Sequence, residues 1–172
     1  PKGHDYELRW FTPTTEVDLC GHATIASAHI LYEFGFYDPD EMINFHTRSG
    51  ILTSTFNRGT IEINMPRFKV TPLATPPLLK EILGFDPLAV AESENGVLIA
   101  ELANADQITS FTPDYNSIAQ LEHHDLALIA SGEGTKYDFI SRFFSPKTGI
   151  PEDPVTGMAH CLLGPYWEGK TG

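Results

Sequence analysis

The sequence predicts an α+β fold built from two related units, and three observations indicate it. Short strand patterns alternate with two helices that are apolar on most sides, and such helices are normally buried. The same order of strand, proline, acidic loop, glycine and helix occurs twice along the chain. A stretch with four prolines, residues 66–77, separates the two copies and is typical of a connector.

The duplication rests on two matched stretches. Arg-Trp-Phe-Thr-Pro at 9–13 matches Arg-Phe-Phe-Ser-Pro at 142–146, so that Arg9 aligns with Arg142. In each copy two carboxylates then precede a glycine that opens a helix, and Gly21 aligns with Gly157. These carboxylates are Glu16 and Asp18 in the first copy and Glu152 and Asp153 in the second, whose loop is slightly longer. The first three are weaker site candidates because loop carboxylates are mostly solvated, whereas Pro154 next to Asp153 indicates a rigidly held carboxylate.

In the first unit, strand patterns surround one helix. The helix is predicted from Gly21 to Phe34, and Gly35 closes it. Asn57-Arg58-Gly59 is typical of a turn between two of the strands. The predicted strands are Tyr6 to Phe11, Met42 to His46, Ile51 to Phe56 and Thr60 to Met65.

In the second unit, most predicted elements precede the helix. Asn95-Gly96, the strongest short turn signal in the chain, indicates a hairpin over Ala89 to Leu102. The second apolar helix is predicted over residues 156–166 and opens at Thr156 and Gly157. The remaining elements are short helices at Pro77 to Leu83 and Asp114 to Leu121, and strands at Leu126 to Ser131 and Phe139 to Phe144.

These elements predict two domains, residues 1–70 and residues 71–172. The first has strands after its helix and almost none before its Arg-Trp-Phe strand, whereas the second has almost nothing after its helix. If the two are duplicates, the chain holds the back of one unit and the front of the other. We therefore expect a fragment truncated at both ends, with unpaired strand edges.

Composition and charge disfavour several classes of function. The 172 residues are enough to bury a core, and 41% of them are hydrophobic, as in ordinary globular proteins. The formal net charge of −12 disfavours nucleic acid and anionic membranes as partners because it repels phosphates. No apolar run is long enough to span a bilayer, and the first residues do not resemble a signal peptide. Two cysteines, Cys20 and Cys161, make no disulfide framework, which favours a cytoplasmic location.

Two motifs carry a resemblance to a known family. The first is R-W-F-T-P-T-T-E-V-D-L-C-G-H-A-T-I-A-S-A-H at 9–29, and the second is R-F-F-S-P followed by E-D-P-V-T-G-M-A-H-C-L-L-G-P-Y-W at 142–167. They resemble the signature stretches of the PhzF-like (phenazine biosynthesis-like) family. The resemblance implies the diaminopimelate epimerase fold, with two pseudo-equivalent domains of mostly antiparallel β-strands, each wrapped round a central helix. It also implies an active site in the cleft between the domains, no cofactor, a small-molecule carboxylate substrate and a homodimer.

The same resemblance implies the residues of the active site. Asp153 and His22 match the family's aspartate and histidine, and they are the predicted catalytic residues. Met158 stands where the family usually has a small hydroxyl residue. The two helix starts are expected to hold an anion through backbone amides. The residues predicted to bind the substrate or anion are Gly21, Ala23, Thr24, Thr156, Gly157 and Met158.

Each candidate also has a simpler interpretation. In that interpretation His22 does no more than cap the loop at the helix start, and Asp153 is an N-terminal cap favoured by the helix dipole. Cys20 is a candidate reactive thiol if its sulfur faces the helix amides, and otherwise a small buried apolar residue. Diaminopimelate epimerases use two opposed cysteines. Here the matching place before the second helix is Pro154, and Cys161 lies one turn inside the helix, so racemisation by two thiols is disfavoured.

Three functions remain. The favoured one is a cofactor-independent isomerase or epimerase that moves a proton on a small carboxylate-bearing metabolite. The alternative is a catalytically impaired binding or scaffold protein of the same fold. Met158 favours it, as does the absence of the Ser-Glu-Thr stretch that carries an acid/base glutamate in well-known members. The third is a metalloenzyme built from the seven histidines. It is disfavoured and no metal site is predicted, because His22 and His29 lack a ligand spacing such as His-Glu-x-x-His. His29 and His160 are instead expected to be satisfied histidines inside buried helices.

Overall fold

The structure is a computed structural model that describes residues 5–171. The chain divides into two compact units. The first runs to Arg67 and also contains Val155–Cys161, whereas the second comprises Phe68–Pro154 and continues from Leu162. The assignment of residues 1–70 and 71–172 to two epimerase-like halves stays a prediction.

The first unit holds a four-stranded sheet, a two-stranded ribbon and one long helix. Its elements are β1 Tyr6–Glu7, β2 Trp10–Phe11, β3 Glu16–Val17, α1 Gly21–Glu33, β4 Ile43–Thr47, β5 Gly50–Asn57 and β6 Thr60–Asn64. The sheet has the order β1-β4-β5-β6, in which β1 and β4 are parallel and the other neighbours antiparallel. The ribbon consists of β2 and β3. The single strand predicted from Tyr6 to Phe11 is therefore divided between the sheet and the ribbon.

The hairpin between β5 and β6 shows how local sequence sets this sheet. Asn57 pairs with Thr60, so the connecting loop has two residues. These are Arg58 and Gly59, with φ values of 49° and 87°. A type I′ turn requires positive φ at both central residues, and its twist matches that of the flanking strands. The predicted turn is confirmed.

Helix α1 buries one face and leaves another exposed. Gly21, Thr24 and Ala28 are buried, and their spacing of three and four residues places them on one face. On the other side, Ile25 and Ile30 are 40% and 49% exposed. The expectation of a helix buried on most sides is wrong for α1, because the described residues cover only one of its faces. The core of this unit consists of Trp10, Ala28, Tyr37, Ile43, Phe45 and Leu52.

The second unit holds a six-stranded sheet and four helices. Its elements are β7 Val70–Pro72, α2 Pro77–Leu83, β8 Ala89–Ser93, β9 Val97–Glu101, α3 Ala105–Ser110, α4 Tyr115–Ile118, β10 Asp125–Ser131, β11 Phe139–Ser145, β12 Ile150–Asp153 and α5 His160–Thr171. The strand order is β12-β11-β10-β9-β8-β7, antiparallel throughout except for the parallel neighbours β9 and β10. The first two residues of α5 are grouped with the first unit.

Strands β9 and β10 form the centre of the second unit. All five residues of β9 are buried, and so are the middle five of β10. Strands that are buried on both faces have continuous apolar sequences, and parallel neighbours need a crossover, here through α3 and α4. One face of the sheet carries the cluster Leu79, Leu83, Val90, Leu98, Ala100, Leu102, Ile108, Ile118, Leu121, Leu126, Leu128, Ala130 and Phe144.

Several predicted elements of this unit agree with the structure and others differ. Helix α2 has the predicted bounds, and the β8–β9 hairpin turns at Asn95-Gly96. The structure adds α3, whose first turn is capped because Asn104 accepts a hydrogen bond from the Gln107 N–H. The helix predicted over Asp114 to Leu121 is limited to the single turn of α4.

The acidic loop and the second apolar helix also differ from the prediction. Residues 150–153, expected in a loop, form the edge strand β12. The helix predicted over residues 156–166 begins as a 3₁₀ turn at Gly157–Ala159 and continues as α5 to Thr171. The Ala159 N–H donates to the Thr156 carbonyl at 3.2 Å, a bond of the kind that tightens a helix start.

Candidate active site

Both copies of the duplicated motif contain the same ion pair. In the first unit, Arg9 donates from Nε and Nη2 to the two carboxylate oxygens of Glu16, both at 2.8 Å. In the second unit, Arg142 donates from the same atoms to Glu152, at 2.7 and 2.9 Å. Bidentate contacts of this kind are among the strong hydrogen bonds in proteins. The hydrogen bonds from arginine lower the pKa of both carboxyl groups, so both are ionised at neutral pH.

The strand register around these ion pairs is also the same in both copies. Trp10 pairs with Val17 in the first copy, and Phe143 pairs with Asp153 in the second. Trp10 and Phe143 each follow the arginine of their copy, and Val17 and Asp153 each follow its glutamate. Asp153 is therefore the structural counterpart of Val17. The common register supports the predicted duplication and places the candidate acid/base at a position that is apolar in the other copy.

Cys20 and His22 meet at the start of α1. Cys20 is the N-cap residue and is half-buried, whereas the side chain of His22 is exposed. The Cys20 Sγ lies 3.6 Å from Nε2 and 3.8 Å from Nδ1 of His22. A thiol and an imidazole in contact are the pair that activates a cysteine in many enzymes. Thr156 directly precedes the second glycine and is therefore the counterpart of Cys20. The match of Cys20 to Pro154 expected from the sequence is corrected, and the second copy still has no thiol at this position.

The polar groups of Thr24 are used within α1. Its side chain is fully buried, and its N–H and Oγ1 both donate to the Cys20 carbonyl, at 3.1 and 2.7 Å. Ala23 is half-buried against the core of the first unit. Ligand binding through these two residues stays a prediction, and for Thr24 it would require the loss of a bond to Cys20.

Gly21 and Gly157 bring the starts of the two repeated helices together. A Cβ atom on Gly157 would lie 3.3 Å from the Gly21 Cα. A Cβ atom on Gly21 would lie 3.4 Å from both the Gly157 Cα and the Met65 Cε. Two side chains would compete for this space, so a glycine at each position permits the close approach. The neighbours of Gly157, Thr156 and Met158, are half-buried, and all residues predicted to bind an anion lie in the first unit.

Asp153 ends β12 in the second unit and is half-buried. It follows Glu152, whose carboxylate is held by Arg142. Its backbone pairs with that of Phe143, and the pairing of the two strands shifts between this position and Ser145. The other predicted catalytic residue, His22, belongs to the first unit.

The whole chain matches one known family. The model of the phenazine biosynthesis-like (PhzC/PhzF) family matches residues 1–172. The chain belongs to this family. An uncharacterized isomerase from Halalkalibacterium halodurans is 43% identical to it over 171 residues, which cover 99% of the chain and 64% of that protein. The phenazine biosynthesis-like domain-containing protein of Homo sapiens is 31% identical over 183 residues, which cover 97% of the chain and 63% of that protein.

A solved structure agrees with this assignment. The crystal structure of a PhzF-family phenazine biosynthesis protein from Enterococcus faecalis superposes with a TM-score of 0.84 at 33% sequence identity. The match covers 99% of this chain and 64% of that one. The chain thus spans just under two-thirds of the length of these relatives. The α+β fold and the family resemblance predicted from the two motifs are confirmed.

In this PhzF-like chain, sequence reasoning alone gives too little weight to the paired glutamates. Because loop carboxylates are usually solvated, Glu16 and Glu152 are weak candidates from sequence. In the structure their side chains are only 12% and 29% exposed. The available signal is the arginine at the head of each copy, Arg9 and Arg142, combined with a glutamate five residues before each glycine.

A second polar cluster, also missed by sequence reasoning, anchors α5 to β9. Glu101, the last residue of β9, is 8% exposed. It accepts hydrogen bonds from the Tyr166 hydroxyl, at 2.6 Å, and from the Lys170 ammonium. Burial, together with the bond to Glu101, raises the pKa of Tyr166 to about 12. The cluster is a structural contact within the second unit.

The histidines of the PhzF-like chain do not assemble a metal centre in residues 5–171. In that range no group of three or more His, Cys, Asp or Glu side chains is arranged to hold a metal ion. His29 and His160, expected inside buried helices, are both exposed. That expectation is wrong, because α1 and α5 turn these two positions away from their packed faces. No helix in the described part of the chain has the length and apolarity needed to cross a membrane.

Proposed function

We propose that the protein is a cofactor-independent isomerase that moves a proton on a small carboxylate-bearing metabolite, in the inter-domain cleft expected of its family. The observation that carries the proposal is the family match over the whole chain, which includes a relative named as an isomerase at 43% identity. The chain covers 64% of that relative, so the activity of the whole protein is itself part of the proposal. A homodimer and a cytoplasmic location are further parts of it.

Asp153 is proposed as the acid/base of the reaction. Its carboxylate would accept a proton from a carbon atom of the substrate and return a proton to another atom, so no cofactor is required. A positioned acid or base of this kind typically contributes roughly 10²- to 10⁴-fold in rate. The ion pair between Arg142 and Glu152, the residue before Asp153, supports this role because it restrains the strand that carries the carboxylate.

His22 and the first turn of α1 are proposed to hold the carboxylate group of the substrate. The helix has 13 residues, and its first turn contains no acidic side chain that would repel an anion. Helix N-termini carry a partial positive charge and favour anions. Because the net charge of the chain is −12, an anionic substrate needs such a local set of donors. The Cys20 sulfur against the His22 ring would restrain the imidazole.

Met158 favours a second candidate function, a binding or scaffold protein that does not catalyse. Met158 directly follows the second glycine, as His22 follows the first, so the two residues are counterparts, and a thioether donates no hydrogen bond. It also replaces the hydroxyl residue that the resemblance leads us to expect. A site with one donor fewer would bind a carboxylate yet stabilise a developing negative charge less well.

Incorporation of solvent deuterium separates these two candidates. The protein is incubated in deuterated water with a panel of small mono- and dicarboxylates, and mass spectrometry records deuterium bound to carbon. An isomerase incorporates deuterium into at least one compound and converts it to an isomer. Met158→Ser, which restores a hydroxyl group, should react at least as fast. A carboxylate that binds in calorimetry but neither gains deuterium nor isomerises with either protein would contradict the isomerase and favour the binding protein.

A further inference from the structure

Strand β12, which carries Asp153, has little backbone pairing to define its register. It has four residues, lies at the edge of the sheet, and contains Pro151, which has no N–H to donate. It pairs with β11 at Phe143↔Asp153 and Ser145↔Ile150, with an irregularity between these positions. A slip of one residue would turn every side chain of a strand to the opposite face. A side-chain contact between the strands would therefore help to fix the face that Asp153 takes.

The Arg142 guanidinium provides that contact. It donates two hydrogen bonds to Glu152, and its Nη1 donates to the carbonyls of Ile108 and Phe111, at 3.0 and 2.6 Å. These carbonyls lie at the end of α3, where helical partners are lacking. The guanidinium also lies 5.2 Å from the ring centre of Phe144 and 5.9 Å from that of Phe111. One side chain thus ties β12 to β11 and to α3.

The first copy of the motif places the same ion pair before a residue that packs inward. Arg9 and Glu16 repeat the bidentate contact, and the next residue, Val17, packs against the core of the first unit. Val17 and Asp153 hold the same place in the register of their strands. The same ion pair therefore precedes an inward apolar side chain in one copy and the candidate acid/base in the other.

We propose that Arg142 and Glu152 are positioning residues whose ion pair locks the register of β12 and fixes the face on which Asp153 presents its carboxylate. The catalytic consequence rests on the proposed function, whereas the register can be measured without a substrate. The lock depends on the planar fork of arginine, which makes four hydrogen bonds here. Lysine keeps the charge but offers a single point donor, so Arg142→Lys should not restore the lock.

The test compares Arg142→Lys and Arg142→Met with the unmodified full chain. In both variants we expect β12 amides to exchange with deuterated water about 10- to 100-fold faster, the factor expected when a charge-assisted pair is lost from a locally opening strand. The β10 amides should exchange at their original rate, and the Asp153 amide should give more than one NMR signal. Lys80→Met, which removes the exposed 2.9 Å pair between Lys80 and Asp86 in the same unit, is the matched control and should change neither measurement.

A single Asp153 signal with unchanged β12 exchange in both arginine variants would overturn the proposal. If Arg142→Met does not fold, the same measurements on Arg142→Lys and Glu152→Gln test the proposal. Loss of folding in all three variants would also overturn the proposal, because a contact that fixes only an edge strand should act locally. Once a substrate is known, Arg142→Lys should lower kcat with little change in KM. Faster β12 exchange, with neither deuterium incorporation nor isomerisation of any carboxylate, would support the lock and contradict the proposed function.

Discussion

Replacing Gly21 and Gly157 with alanine, singly and together, tests the contact between the two helix starts. A Cβ atom at Gly21 would meet the Gly157 Cα and the Met65 Cε at 3.4 Å, which is an ordinary van der Waals contact. A Cβ atom at Gly157 would meet the Gly21 Cα at 3.3 Å, which requires a small shift of the backbone. Neither glycine has a positive φ, so the backbone accepts alanine at both positions.

Two effects oppose each other in the single variants. Alanine reduces the conformational entropy of the unfolded chain and stabilises by about 0.4–1 kcal/mol where the native backbone accepts it. The contact at 3.3–3.4 Å offsets part of this gain. We therefore expect each single variant to change the free energy of unfolding by less than about 1 kcal/mol. In the double variant both methyl groups occupy the same gap between two backbones, and such overpacking costs about 1–3 kcal/mol.

Urea denaturation of the unmodified chain, the two single variants and the double variant measures the coupling energy between the two positions. We expect the double variant to be less stable than the sum of the single effects by about 1–3 kcal/mol. Gly169→Ala is the control, because no atom lies within 4 Å of its new Cβ and α5 should gain up to about 1 kcal/mol. Additive effects in the double variant would refute the contact between Gly21 and Gly157.

Three further predictions concern titratable groups. Burial raises the pKa of the Asp125 carboxyl, so the folded state holds this proton more tightly and loses stability as pH rises from the unfolded pKa through the folded one. Asp125→Asn should raise the urea midpoint at pH 7 and flatten its pH dependence, and an unchanged pH profile would contradict the burial argument. Tyr166→Phe should cost about 1–2 kcal/mol at neutral pH through the lost bond to Glu101. Because the Tyr166 pKa is raised to about 12, this contribution is lost between about pH 10 and 12, and the variant should show a smaller rise in tyrosinate absorbance near pH 12. The Arg142 hydrogen bonds lower the pKa of Glu152, so its contribution is present above the unfolded pKa and is lost as pH falls through the folded one. Glu152→Gln should flatten the acid limb of a stability–pH curve, and an acid limb equal to that of the unmodified chain would contradict this.

Most strands could be predicted from the sequence because turn residues and alternating hydrophobicity act over short distances. Arg58-Gly59 and Asn95-Gly96 mark two hairpins that the structure contains. Helix α3 was not predictable in the same way, because its six residues depend on the Asn104 cap and on the burial of Ile108. The exposed face of α1 could not be predicted either, because an apolar helix sequence does not specify which neighbouring elements cover each face of the helix.

The candidate site was predictable in its residues but not in its geometry. The repeat identifies Gly21 and Gly157 as helix starts, whereas their contact depends on folding of the intervening chain. The ion pairs join residues 7 positions apart in the first copy and 10 in the second. Because this spacing differs between the copies, the sequence does not predict that both arginines make the same contact. The contact follows from the strand register, which places each arginine diagonally opposite its glutamate.

The role of Asp153 in proton transfer can be measured by comparing Asp153→Asn with the unmodified protein in deuterated water. Asparagine keeps the size and the backbone pairing of aspartate, so the fold and the binding of a small carboxylate should persist. It cannot accept and release a proton at neutral pH, so exchange of the substrate C–H hydrogen should fall by roughly 10²- to 10⁴-fold. Exchange at the original rate in a folded Asp153→Asn variant would contradict the assignment of Asp153 as the acid/base.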